Sequence, residues 1–212
     1  MKTKIIPAIN AQSFEEIKEK IDILKDLVQN FHLDVAEKSF TGYETWQNYN
    51  DLDRLEKQLL FDLHLMISLK PQEILKWAKE NVKRLILHLE ASTNPDGLLK
   101  MTKKTKKEIF IAWSPNVEFD FIEKYLNFVQ GVLILGVNPG KAGQKFLEET
   151  YQRIEFIKTK LKKNQKLMID GGINKENFKK ILSYHPDFIV MASAIYSTNQ
   201  PYQTYLEFQS NI

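Results

Sequence analysis

The sequence predicts an α/β chain folded as a single (β/α)8 TIM barrel over residues 1–212. Short apolar runs alternate with longer amphipathic stretches about eight times, and no low-complexity linker divides them. Charged and glycine-bearing segments recur where the apolar runs end, and that end is where such barrels carry their chemistry. A doubly wound open sheet is the competing reading, because hydrophobic periodicity does not report closure. The number of units in a chain of this length favours the barrel.

The elements follow in order. Residues 5–9 form the first apolar run. Ser13-Phe-Glu-Glu16 then opens a helix as a capping box, with the Ser oxygen covering backbone N–H groups and the Glu reaching back. Phe14, Ile17, Ile21, Leu24 and Leu27 continue it at helical spacing. Residues 31–35 and 60–66 read as strands. Pro71 starts a helix carrying Ile74, Leu75 and Trp77, and 84–89 is the next strand. Asn94-Pro95 caps a weaker helix, with Pro at a tolerated first position. Strand 108–113, helix 120–128 and strand 131–137 come next. A glycine-containing loop leads to a long helix over 146–161. Strand 166–169, helix 175–182, strand 188–191 and a last helix from Gln203 complete the chain.

Composition bounds the function. With 43% hydrophobic and 27% charged residues, wholesale disorder is excluded. Thirty Lys and Arg against 27 Asp and Glu give a formal charge of +3. That balance makes no case for nucleic acid, although 103–107 is locally basic. Cysteine is absent, which excludes disulfides and thiolate zinc sites. The start, Met1-Lys-Thr-Lys-Ile-Ile-Pro7, lacks the apolar stretch of a signal peptide. No window approaches the roughly 18 apolar residues of a membrane span. The expectation is a cytoplasmic protein with no membrane partner.

Three strands place metal-ligand residue types at one end. His32 and Asp34 are two apart and so project from one face. Asp62, His64 and Met66 share a face of the next strand, and 166–169 runs into Asp170. Charge at the end of an apolar strand costs free energy unless it is compensated. Two imidazoles and two carboxylates on one divalent ion would do so. That donor set suits zinc, iron(II), manganese or cobalt without choosing among them. His88 reads as a structural histidine and His185 as an exposed loop residue.

The second constellation is glycine-bearing. Asn138-Pro-Gly140-Lys-Ala-Gly143-Gln144, Asp170-Gly171-Gly172 and Met191-Ala192-Ser193 follow the last three strands. Glycines let backbone N–H groups approach an anion closely. The last strand–helix loops of barrels often hold phosphate. Gly140, Gly143, Gly171, Gly172, Ala192 and Ser193 are therefore the phosphate candidates.

Six stretches together resemble the ribulose-phosphate 3-epimerase family over nearly the whole chain. They are His32-Leu-Asp-Val35, Asp62-Leu-His-Leu-Met66, Leu87-His-Leu-Glu-Ala91, Val137-Asn-Pro-Gly140 with Gly143-Gln-Lys-Phe146, Asp170-Gly-Gly-Ile173 and Ser193-Ala-Ile195. The resemblance implies a ribulose-phosphate-binding barrel with one divalent metal on His32, Asp34, His64 and Asp170. It implies that Asp34 and Asp170 double as acid and base. It also implies an isomerase of the pentose phosphate type that epimerises a ketose phosphate at C3, ordinarily D-ribulose 5-phosphate to D-xylulose 5-phosphate. Inversion needs one carboxylate on each face of a planar enediolate, and a metal on the C2 oxygen stabilises that species.

The chain departs from the family pattern around the substrate. Ala8 stands where a Ser near the substrate is usual, and the resemblance makes Asn10, on the same face, and Met66 the substrate-facing residues. Ala36-Glu-Lys38 replaces Met-Asp-Gly, Leu135 replaces Met, Lys141-Ala142 replaces Phe-Gly and Ala192 replaces Gly. Ala8 and Ala36 are expected to enlarge the pocket. A 3-epimerase of a six-carbon or less phosphorylated ketose is the alternative, and a non-catalytic metabolite-binding barrel is a third reading. A small-molecule sugar phosphate is the expected partner, with a homo-oligomer left open.

Overall fold

In the computed structural model, eight parallel strands close into a barrel in sequence order, and the last pairs back onto the first. Closure removes the open-sheet alternative. The structure describes residues 2–212, so Met1, the first residue of the segment read against a signal peptide, lies outside the described residues. The strands are β1 (Lys4–Ile9), β2 (Asn30–Ala36), β3 (Leu60–Met66), β4 (Val82–Leu87), β5 (Glu108–Trp113), β6 (Gly131–Leu135), β7 (Lys166–Asp170) and β8 (Phe188–Met191). The helices are α1 (Phe14–Leu24), α2 (Lys38–Thr41), α3 (Ile74–Trp77), α4 (Pro95–Thr102), α5 (Phe119–Glu123), α6 (Thr150–Lys160), α7 (Phe178–Ser183), α8 (Ser193–Tyr196) and α9 (Pro201–Gln209).

Both faces of each strand are covered, which is why the strands read as near-continuous apolar runs. Leu33, Val35, Leu63, Leu65, Leu85 and Leu87 belong to the core shared with Ile17 and Ile21 of α1. Ile6, Ile86, Phe110, Leu133, Met168 and Val190 form a separate cluster that fills the barrel. An ion pair closes its N-terminal end. Arg84 Nη1 donates to Asp62 Oδ2 at 2.7 Å and Nε to Glu108 Oε2 at 2.6 Å, with the guanidinium 4.1 Å from the Phe188 ring centroid. Asn30 Nδ2 donates to the same Asp62 oxygen at 2.9 Å. Asp62 thus shares a strand face with His64 but serves the opposite end of the barrel.

Several boundaries differ from the sequence expectation, each for a local reason. Ser13 caps α1 by accepting from Glu16 N, but the Glu16 carboxylate accepts from Gln12 N rather than from Ser13. The long helix begins at Thr150, not at 146. Phe146 is held in the preceding loop because Gly136 and Gly172 leave space for it. A Cβ on Gly172, where φ is +70°, would lie 2.6 Å from Phe146 N. The helix expected over 120–128 is α5 followed by a 3-10 turn, Leu126–Phe128. Gln165 Nε2 donates to the Leu126 and Val129 carbonyls there, turning the chain early into β6. Pro71 opens a 3-10 turn that leads into the four-residue α3. β6 ends at Leu135, and Arg153 from α6 reaches over its end, donating to the Leu135 and Trp113 carbonyls.

Candidate functional site

β2 and β3 pair with Asp34 opposite His64. His32 lies two residues below Asp34 on the same inward face. Asp170 is the last residue of β7. His32, Asp34, His64 and Asp170 each offer one donor atom, and these atoms all lie within 4.8 Å of one another. His64 Nδ1 is 3.1 Å from Asp34 Oδ1 and 3.5 Å from Asp170 Oδ2. His32 Nε2 is 3.4 Å and 3.8 Å from the same two oxygens. A tetrahedral site with bonds of about 2.0–2.2 Å would space its donors about 3.3–3.6 Å apart. The residues present therefore fit a divalent ion. His32 supplies a second test. It is fully buried, and neither ring nitrogen finds a hydrogen-bond partner among the described residues. A bare, buried imidazole nitrogen is costly, and a cation against it relieves that cost.

The charges in the cluster are set by their neighbours. Burial opposes charge on His64, but the Asp170 and Asp34 carboxylates at its ring outweigh burial and push its pKa up to about 9. Burial likewise disfavours an Asp34 carboxylate, yet His32 and His64 hold it well below the ordinary carboxylate range. Asp34 is therefore ionised at neutral pH. The side chains of Asp34 and Asp170 are 12% and 11% exposed, whereas His32 is covered beneath them.

Above the cluster is a cleft. Asp34, His64, Asp170, Met66 and Leu135 form its floor and wall, and the loops after β6, β7 and β8 form its rim. Gly140, Gly143, Gly171, Gly172, Ala192 and Ser193 all line it, as does exposed Lys141. Asn10, just after β1, reaches Asp34 and the loop after β6. Its amide donates to Asp34 Oδ2 at 3.3 Å and to the Gly140 carbonyl at 3.0 Å, so both donors are spent within the protein. Ala8 and Ala36 are buried rather than on the cleft surface.

Sequence reasoning missed what lies behind His64. His64 Nε2 meets His88 Nε2 at 2.8 Å, and His88 Nδ1 meets Glu90 Oε1 at 2.8 Å and Ser114 Oγ at 3.0 Å. His88 is thus a buried, hydrogen-bonded histidine, as expected, but one that bears on His64. Burial lowers its pKa against the pull of Glu90, so it stays neutral. The available signal was the His88-x-Glu90 spacing, the same as His32-x-Asp34, at a strand end.

A model of the ribulose-phosphate 3 epimerase family matches residues 4–196. The ribulose-phosphate 3-epimerase of Buchnera aphidicola subsp. Baizongia pistaciae is 28% identical over 200 residues, covering 90% of this chain and 87% of the relative. That of Bacillus subtilis is 26% identical over 199 residues, covering 91% and 92%. Among solved structures, 3-hexulose-6-phosphate synthase from Salmonella typhimurium superposes with a TM-score of 0.73 at 13% identity, covering 98% and 97% of the two chains. Orotidine 5'-phosphate decarboxylase from Pyrococcus horikoshii gives 0.70 at 16% identity, covering 99% of each chain. At such identities these two show the barrel fold alone. The family match spans nearly the whole chain, and the chain belongs to the ribulose-phosphate 3-epimerase family, carbohydrate epimerases of the isomerase class.

Proposed function

We propose that this protein interconverts D-ribulose 5-phosphate and D-xylulose 5-phosphate by proton transfer at C3, as a cytoplasmic enzyme of the pentose phosphate route. The observation that carries this reading is the pair Asp34 and Asp170. They reach one cleft from strands on different sides of its mouth, and each is partly open to it. One carboxylate takes the C3 hydrogen from its face of the sugar, and the other returns a proton to the opposite face. Asp34, already ionised, is ready to accept. His32, Asp34, His64 and Asp170 would hold a divalent ion, which supplies Lewis-acid stabilisation of charge at the neighbouring C2 oxygen. Which of zinc, iron(II), manganese or cobalt serves is a matter of supply as much as of donor type.

The remaining residues bind and shelter. Met66 and Leu135 give the reacting carbons an apolar wall. The backbone N–H groups around Gly143, Gly172 and Ser193 take the phosphate, and Lys141 adds positive charge. A six-carbon or less phosphorylated ketose is the second reading, favoured by the added methyl groups of Ala142 and Ala192 on the cleft rim. Both carboxylates and both imidazoles are retained, which argues against a non-catalytic barrel. The test is turnover of the metal-loaded protein on D-ribulose 5-phosphate, a ketohexose 6-phosphate and D-ribulose. Preference for the first supports the proposal. Near-equal turnover of the phosphorylated and free pentulose supports the second reading.

A further inference from the structure

The contact between His64 and His88 has one proton to share. Their Nε2 atoms are 2.8 Å apart, and the ring centroids are 4.9 Å apart with 20° between the planes. Near-parallel rings that far apart bring two nitrogens to 2.8 Å only by meeting edge to edge. The contact is thus an in-plane hydrogen bond, with N–H on one side and a lone pair on the other.

The chain behind His88 decides which side carries the proton. Glu90 Oε1 lies 2.8 Å from His88 Nδ1 and 2.5 Å from Ser114 Oγ. A carboxylate accepts and does not donate, so both neighbours give it a proton. His88 Nδ1 then carries its N–H, and a neutral His88 has a bare Nε2. His64 must therefore carry N–H at Nε2, and Nδ1 is the nitrogen left to face the carboxylates. Nδ1 faces Asp34 Oδ1 at 3.1 Å and Asp170 Oδ2 at 3.5 Å, two acceptors. In the metal-free fold a proton on Nδ1 satisfies this arrangement, and a divalent ion among the three atoms would take its place. Phe40 from α2 lies with its ring 5.3 Å from that of His88 and shields the contact. His88 itself is fully buried. His32 has no comparable support at either nitrogen.

We propose that Glu90, Ser114 and His88 form a positioning relay that fixes His64 as its Nε2–H tautomer and presents Nδ1 as the metal ligand. It rests on the metal reading above. Hydrogen-bonded support of this kind orients a ligating imidazole and raises its basicity, and losing it costs about 10- to 100-fold in metal affinity. His88, Glu90 and Ser114 touch no substrate in this account. They act through His64.

The experiment titrates the wild-type protein and its variants with Zn²⁺ against a competing chelator. His88→Leu keeps bulk but offers no acceptor, and it should bind about 10- to 100-fold more weakly. His88→Gln offers a carbonyl to His64 and an amide to Glu90, and it should recover most of the affinity. Equal affinity in wild type and His88→Leu would overturn the relay while leaving the metal site standing. A wild-type protein that binds no Zn²⁺ would overturn the metal reading and the relay together. Nitrogen NMR of zinc-loaded, ¹⁵N-histidine-labelled wild type tests the same point without any variant. The expected spectrum has His64 protonated at Nε2 and His88 at Nδ1. A proton on His88 Nε2 would refute the assignment.

Discussion

Asn10 ties Asp34 to the loop after β6, with one amide donating to Asp34 Oδ2 at 3.3 Å and to the Gly140 carbonyl at 3.0 Å. Asp34 Oδ1 is committed to the histidines. Oδ2 is thus the oxygen whose aim Asn10 controls, and the same side chain anchors a rim of the cleft. Asn10→Ala should lower kcat by up to about 100-fold, the scale of a small misplacement of a reacting group. Zn²⁺ content should stay that of wild type. Steady-state kinetics with metal analysis checks this, and an unchanged kcat would remove Asn10 from the machinery.

Protonation of the cluster predicts a pH dependence. His64 has its pKa raised from 6.5 to about 9 in the metal-free fold, so it contributes stability that is complete below pH 6.5 and lost as pH rises through 9. The loss is on the order of 3 kcal/mol. Asp34 works with the opposite sign: its depressed pKa contributes stability present at neutral pH and lost in acid. Urea midpoints of the metal-free protein should therefore fall between pH 6.5 and 9. A divalent ion held at His64 Nδ1 would take the place of that proton, so the loaded protein should lack that fall, and binding at pH 7 should release about one proton per chain. A flat metal-free profile would contradict the His64 assignment.

At the other end of the barrel, Asp62 and Arg84 are a buried pair. Removing one partner strands the other charge. Asp62→Ala should cost about 3–5 kcal/mol of unfolding free energy, while joint replacement of Asp62 and Arg84 by apolar residues of similar volume should cost much less. Urea unfolding of the three proteins decides this, and a single variant as stable as the double would show the pair to be unimportant.

How far the sequence is legible follows from the range of each interaction. β2 and β3 are readable because burial on both faces makes their apolar runs almost unbroken. The His32, Asp34, His64 and Asp170 set is readable because i, i+2 spacing fixes a face and strand ends share a rim. The start of α6 is not readable. Phe146 has a helix former's neighbours, and its packing on Gly136 and Gly172, with Leu147 N donating to the Gly136 carbonyl, holds it in the loop. The tie from Asn10 to the loop after β6 is not readable either, because only the fold brings Gly140, 130 residues away, against its amide. That Ala8 and Ala36 are buried beneath the surface is a property of the closed barrel, which local sequence does not show.

The central claim is that Asp34 and Asp170 serve opposite faces of the sugar, and hydrogen exchange at C3 in deuterated solvent tests it most directly. Asp170→Asn and Asp34→Asn are first checked for bound metal, since both residues belong to the ligand cluster. Each metal-loaded variant keeps one base. It should still exchange the C3 hydrogen of one epimer and not of the other, the two variants should choose opposite epimers, and net epimerisation should collapse in both. If either metal-loaded variant retains epimerisation near the wild-type rate, or if both exchange the same epimer, the two carboxylates do not divide the faces and the account fails.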